Sequence, residues 1–128
     1  MKVIIISLLF TLTLGVSEVS NAQISENALK GYVTGLKSEN SGLVESSLME
    51  MAKIKVKFPA LKSTEFETEL KSRIVSEKDI MVRYKLVLTM YILENPSILK
   101  SDEIGNMNEP NQFFYLAGSK VNGLLAGL

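Results

Sequence analysis

Residues 80–96 read IMVRYKLVLTMYILENP, a run long and apolar enough to form the central helix of a small domain. Apolar side chains recur at helical spacing along it, at Ile80, Tyr84, Val87, Leu88, Tyr91 and Ile92. The preceding Ser76-Glu77-Lys78-Asp79 resembles a capping box, with Ser76 as the cap and an acid three positions later. Asn95-Pro96 should end the helix, because the residue before a proline is pushed out of helical geometry.

The same periodicity predicts further helices on both sides of this run. Three of them cover Ser25 to Lys37, Leu43 to Lys57 and Pro110 to Leu128. A fourth opens at Ser63 and carries Phe66, Leu70 and Ile74 on one face. Residues 53–58 (KIKVKF) alternate charged and apolar side chains, which alone is a strand pattern. Because a lone strand would have no partner, we interpret them as the end of a helix. The chain is predicted to be all-α, with about five helices.

The predicted connections are short and polar. Ser38 to Gly42 should form a turn, and Ser97 to Lys100 a brief helical turn. Residues 101–109 are polar and contain Gly105, so we expect a mobile connection there.

The N-terminus has the pattern of a cleavable secretory signal. Lys2 precedes an apolar run from Val3 to Leu14, and Ser20 and Ala22 supply the small residues that signal peptidase recognises. The run is too short to span a membrane, which needs about 20 residues. We expect residues 1–22 to be removed and residues 23–128 to form a single exported domain, periplasmic or extracellular, without a stable membrane anchor.

Composition excludes several classes of function. The chain has 14 basic and 14 acidic residues, so it lacks the positive surplus with which proteins bind nucleic acid. It has no cysteine, which excludes disulfides and a lipid tether on cysteine, and no histidine, which removes the commonest general base and metal ligand. We therefore expect no enzymatic activity, no cofactor and no catalytic or metal site.

Two stretches resemble a known family. LKSENSGLVESSL at residues 36–48 resembles the helix-turn-helix junction of HEAT-like proteins, and is most similar to small secreted members of the Bacteroidota type. IMVRYKLVLTMYILENP is similar to the second helix of the following unit. The resemblance implies antiparallel helix pairs in a short α-α superhelix with right-handed stacking, and no particular activity. Because such solenoids usually stack three or more repeats, a homodimer or the last helix would have to cover the exposed end.

Two candidate surfaces stand out. Lys53, Lys55, Lys57 and Lys62 form the densest basic patch, which could meet an acidic partner, although lysines also suit the C-terminal end of a helix. The aromatic residues Tyr84, Tyr91, Phe113 and Phe114 could line an apolar cavity, although such residues more often fill a core.

The residues of several weaker motifs are better explained by a structural role than by a catalytic or metal-binding one. Ser97 and Lys100 have the Ser-x-x-Lys spacing of penicillin-recognising enzymes, but the companion motifs of those enzymes are missing. Acidic side chains at residues 65–69 and 102–109 could bind calcium, yet neither segment follows the EF-hand pattern. Glycine pairs four residues apart, Gly31 with Gly35 and Gly123 with Gly127, suggest a close approach of helices inside the domain.

Our leading expectation is an exported, non-enzymatic protein-interaction or scaffold module, because stacked helical pairs present an extended groove. The alternative is a periplasmic carrier that holds an apolar small molecule between its helices. The partner is expected to be a protein or peptide, and self-association as a homodimer stays open.

Overall fold

The structure, a computed structural model, describes residues 26–127, and in this range it contains six α-helices and no strand. The helices are α1 (26–36), α2 (Ser41–Lys57), α3 (Thr64–Ser76), α4 (Ile80–Glu94), α5 (Ser101–Ile104) and α6 (Pro110–Ala126). A 3₁₀ turn at Pro96–Ile98 follows α4. The all-α prediction is confirmed, with one more helix than the sequence indicated.

The central position of α4 is also confirmed. The helix contacts α2, α3, α6 and the 3₁₀ turn, and it buries Val82, Leu86, Leu88, Thr89, Met90, Ile92 and Leu93. Its cap differs from the predicted capping box, because Ser76 is the last residue of α3. Asp79 is the N-cap instead, and its carboxylate accepts hydrogen bonds from the N–H groups of Met81 and Val82 at 2.9 and 3.1 Å. A carboxylate suits this position, since it also faces the positive end of the helix dipole.

Helix α2 resolves the conflict at residues 53–58 in favour of the helix, which continues to Lys57. Its N-cap is Asn40, whose side-chain oxygen accepts a hydrogen bond from the Leu43 N–H at 3.2 Å. Val44, Leu48, Met51 and Ala52 are fully buried, so one face of α2 lies in the core. The alternation is outweighed because an isolated strand would leave its backbone groups unpaired.

Two pairs of alternate helices lie beside each other, α1 with α3 and α2 with α4. Among the helix pairs, α2 makes its most extensive contact with α4. On the other side, Arg73 of α3 donates from Nη1 to the carbonyl oxygens of Leu36 and Ser38, at 2.7 and 2.8 Å, and so caps the C-terminal end of α1. Leu36 and Leu70 are both fully buried. The domain is therefore layered, with α1 next to α3 and α2 next to α4.

The approach of α1 to α2 depends on Gly35. A Cβ atom at this position would lie 1.9 Å from Ser47 Oγ and 3.0 Å from Ser47 Cβ. Gly31 and Gly123 have open space where a side chain would stand, and Gly127 meets only carbonyl oxygens of its own helix. The expected close approach is thus confirmed at Gly35 and absent at the other three glycines.

The connection at residues 101–109, predicted to be mobile, is helical in part and anchored. Ile104 of α5 is fully buried, and Met107 packs against the core. Lys53 Nζ donates to the Met107 carbonyl oxygen at 2.7 Å, and Glu103 pairs with Lys120 of α6 at 3.3 Å. Two apolar side chains, a hydrogen bond and an ion pair thus hold the segment against the domain.

Several sequence predictions fall outside the described range. They are the signal segment at residues 1–22, its cleavage after Ala22, the start of the first helix at Ser25 and the end of the last helix at Leu128. Within residues 26–127, none of the helices combines the length and hydropathy needed to cross a membrane.

Candidate functional site

A groove of about 350 Å³ runs between α4 and α6 and is open to solvent. We call it the α4/α6 groove. The residues that line it are Met81, Tyr84 and Lys85 on α4, and Asn111, Phe114, Tyr115, Gly118, Ser119 and Asn122 on α6. Its lining thus combines exposed aromatic and thioether side chains with amides and a hydroxyl that can form hydrogen bonds.

The floor of the groove depends on a glycine. A Cβ atom at Gly118 would lie 2.7 Å from the hydroxyl oxygen of Tyr84, so the absence of a side chain allows the Tyr84 hydroxyl to lie against α6. Phe114 is buried beside it and packs edge-on against Phe113, with the ring centroids 5.2 Å apart. The groove therefore has one partly exposed aromatic wall, Tyr84, and one buried aromatic base, Phe114.

The only charged side chain that lines the groove already has its partners. Lys85 Nζ lies 2.8 Å from Glu45 Oε1 on α2 and 5.8 Å from the centroid of the Phe114 ring. Both members of the ion pair are largely buried. Since the lysine charge is balanced within the domain, the groove favours an uncharged ligand over an anionic one.

The four aromatic residues predicted to share a cavity are divided between the groove and the core. Tyr84 and Phe114 line the groove, whereas Phe113 is fully buried in the core. Tyr91 is half-buried and does not line the groove. No buried side-chain polar atom in the described range lacks a hydrogen-bond partner, so no buried group there awaits a polar ligand.

The four lysines of the predicted basic patch are likewise dispersed. Lys53 pairs with Glu50 at 3.5 Å in addition to bonding Met107, and Lys55 donates to the Leu61 carbonyl oxygen. Lys57 is exposed and lies over the Phe58 ring at 5.6 Å. Lys62 lines a separate recess beside α1 and α3. Two of the four lysine ammonium groups are thus bound to carbonyl oxygens of their own chain.

A second groove, of about 280 Å³, contains the remaining exposed part of that patch. It lies between the C-terminal half of α2 and α5, and its lining includes Glu50, Lys53, Lys57, Phe58 and Ser101. Glu50 neutralises Lys53 there, which leaves Lys57 as the exposed cation. This is a modest basic feature rather than a broad basic surface.

The weaker motifs acquire no chemical partners. Within residues 26–127, no three acidic side chains lie close enough together to hold a metal ion. Ser63 stands at the N-cap position of α3, but its hydroxyl donates to the Glu67 carboxylate at 2.8 Å and makes no cap hydrogen bond to the backbone. Ser97 and Lys100 are both exposed.

The sequence did not reveal the α6 side of the groove. Asn111, Tyr115, Gly118 and Asn122 follow each other at four- and three-residue steps and share one helix face. That face is uncharged, and Tyr115 on it is 80 % exposed. An uncharged solvent-facing stripe with an aromatic residue was the available signal, but the periodicity of Phe113, Phe114 and Ala117, which marks the core side of α6, masks it.

No protein-family model matches the chain, and neither the curated proteins nor the solved structures include one significantly similar to it.

Proposed function

We propose that this protein is a non-enzymatic interaction module that binds an uncharged peptide segment of another protein in the α4/α6 groove. The observation that carries the proposal is the exposure of Tyr84 and Tyr115 on opposite sides of one open groove. Tyrosine is enriched among the residues that dominate binding energy, because it contributes a large apolar area and a hydrogen bond at low entropic cost.

The chemistry of the groove defines the ligand class. Tyr84 and Met81 offer apolar contact on one side, and Asn111, Ser119 and Asn122 offer amide and hydroxyl groups on the other. Amides can pair with the backbone of an extended or helical peptide, while the aromatic wall holds an aliphatic or aromatic anchor side chain. The internal pairing of Lys85 with Glu45 argues against a requirement for charge in the ligand.

An open groove suits a peptide better than a sequestered small molecule. A carrier would need an enclosed apolar cavity, which typically covers most of its ligand. Phe113, one of the four side chains proposed for such a cavity, is packed in the core. The packing therefore favours the interaction module over the carrier.

We propose an architecture and a location together with this function. The side-by-side layering of α1 with α3 and α2 with α4 supports a short HEAT-like α-α superhelix, in which equivalent helices of successive units lie next to each other. The apolar N-terminal run supports export by a cleaved signal.

Selection of a random displayed peptide library on the immobilised protein tests the proposal. We expect the enriched peptides to be uncharged, with one or two aliphatic or aromatic anchors. Tyr115→Ala should weaken their binding by about tenfold or more, the loss typical of a truncated interface anchor. Isothermal titration calorimetry with one synthetic enriched peptide gives this ratio.

Val75→Ala is the matched control, because Val75 is as exposed as Tyr115, at 80 %, and does not line the groove. It should leave the affinity unchanged. The proposal is overturned if the library yields no binder, or if the enriched peptides bind the Tyr115→Ala protein as tightly as the unaltered one.

A further inference from the structure

Helix α4 has a second apolar face that the domain covers only in part. Ile80 is 82 % exposed, Val87 is 50 % exposed and Tyr84 is 44 % exposed, while Tyr91 is half-buried. We call these four residues the α4 stripe. At about 100° per residue the stripe lies half a turn away from Val82, Leu86 and Leu93, which face the core. The helix is thus apolar on two opposite sides.

The spacing of the α4 stripe matches a helix–helix seam. Its members are separated by four, three and four residues, the alternation with which one helix contacts another along a coiled-coil interface. Over these positions a helix rises about 1.5 Å per residue, so the seam is roughly 16 Å long. Tyr84 is shared with the α4/α6 groove, whereas the groove residues Asn111 and Tyr115 belong to α6 and lie outside this seam.

The charges beside the stripe indicate which helix fits it. Arg83 and Glu94 flank the same side of the stripe, one near each end of α4, and both are exposed. Neither forms an ion pair within the described residues. An antiparallel copy of α4 brings Arg83 level with Glu94 of the second copy at both ends. In that register Tyr84, Val87 and Tyr91 of the two copies overlap, and Val87 lies within one residue of the level of Tyr91 in the other copy, whereas Ile80 extends beyond the end of the other α4.

We propose that the α4 stripe is a self-association surface, on which a second copy of this chain packs its own α4 in the antiparallel direction. The formal net charge of the chain is zero, so no overall repulsion opposes the contact. Burial of Tyr84, Val87 and Tyr91 drives it, and the two reciprocal Arg83–Glu94 pairs set its direction. The resulting interface is isologous, as a two-fold dimer requires.

Sedimentation equilibrium over a wide range of concentrations tests the proposal. The protein should show a concentration-dependent monomer–dimer equilibrium. Val87→Arg should raise the dissociation constant of the dimer by about tenfold or more, because a charge would be placed against apolar surface. Val75→Arg introduces the same charge on α3, away from the stripe, and should leave the equilibrium unchanged.

A charge exchange tests the direction of packing. Arg83→Glu and Glu94→Arg should each weaken the dimer by about two- to fivefold, and the double variant should restore it. A protein that stays monomeric at every concentration overturns the proposal, and so does a dimer that Val87→Arg leaves intact. If the double variant fails to restore the dimer, the antiparallel arrangement is wrong.

This inference and the proposed function fail separately. Tyr84 belongs to both surfaces, so the variants are placed at residues that belong to one of them: Val87 does not line the α4/α6 groove, and Tyr115 is not part of the α4 stripe. Loss of self-association in Val87→Arg with unchanged peptide binding would support both proposals at once. A strictly monomeric protein that still binds the selected peptide would overturn only the self-association proposal.

Discussion

At the scale of single residues, Gly35 is the position where one side chain decides whether two helices can pack. A methyl group there would overlap the Ser47 hydroxyl, which donates to the Leu43 carbonyl oxygen at 2.9 Å. We expect Gly35→Ala to lower the free energy of unfolding by about 1–3 kcal/mol, as overpacking does. Urea denaturation followed by circular dichroism measures the change.

Gly31→Ala on the same helix is the control for Gly35→Ala. The space around Gly31 is open, so the added methyl group should only improve helix propensity and stabilise the protein by up to about 1 kcal/mol. Equal effects of the two substitutions would show that α1 and α2 are not in the close contact described.

Glu77 is a second residue of this kind, because its hydrogen bonds connect α3, α4 and, through Arg73, α1. Arg73 donates to Glu77 Oε1 from Nε and Nη2 at 3.1 and 3.0 Å, and the same guanidinium caps α1. Glu77 Oε2 accepts from the N–H groups of Lys78 and Asp79 at the start of α4. Desolvation by itself would raise the pKa of Glu77, but these hydrogen bonds and the Arg73 charge together hold the pKa below its ordinary value.

The lowered pKa predicts a pH-dependent contribution to stability. Because the folded state holds the carboxylate ionised to lower pH than the unfolded state does, the stabilisation is present above the unfolded pKa of about 4.5 and is lost as pH falls through the folded value. Glu77→Gln should therefore be less stable than the unaltered protein at pH 7, with a smaller difference at acidic pH. Urea midpoints at both pH values give the comparison, and a difference that grows on acidification would contradict the assignment.

At the scale of elements, the sequence and the structure give different caps for α4: Ser76 was predicted, and Asp79 is observed. Asp79→Ala should lower the free energy of unfolding by about 0.5–2 kcal/mol, because two backbone N–H groups lose their acceptor. Ser76→Ala should cost less, since the Ser76 hydroxyl makes only a 3.3 Å bond to the Arg73 carbonyl oxygen. Chemical denaturation of both variants measures the order, and the reverse order would restore Ser76 as the cap.

The short helix α5 was not predicted from the sequence. Ile104 is buried at its end, so Ile104→Ala should lower the free energy of unfolding by about 2–5 kcal/mol, the usual range for a core truncation. Hydrogen exchange should also accelerate at residues 104–107, where the N–H groups of Gly105 and Met107 bond within the segment. If Ile104→Ala left the free energy of unfolding unchanged, the connection at residues 101–109 would be as mobile as its composition suggests.

At the scale of the whole molecule, periodicity predicted the main helices and most of the core, because long apolar stripes have few ways to be buried. It could not place Lys53 and Lys55, whose ammonium groups bond carbonyl oxygens that only the folded chain brings near. It also could not distinguish Phe113 from Phe114, which are adjacent in sequence yet differ in that only Phe114 reaches a groove. A side chain that bonds a backbone atom distant in the sequence leaves no local pattern in that sequence.

The candidate site was half visible in the sequence. Tyr84 and Phe114 were singled out as aromatic residues, but Tyr115 was not, and the other residues on the α6 side are amides, a serine and a glycine, which carry no hydrophobic signal. Gly118 matters only because the Tyr84 hydroxyl lies against it. Such complementarity between two helices is a property of the packed domain.

The central claim, that the α4/α6 groove binds a peptide, is tested most directly by two-dimensional amide NMR during titration with one enriched library peptide. We predict that the amide resonances of Tyr84, Ser119 and Asn122 shift, while those of Lys57 and Ser101 in the second groove do not. Shifts confined to the second groove, with α4 and α6 unchanged, would contradict the claim.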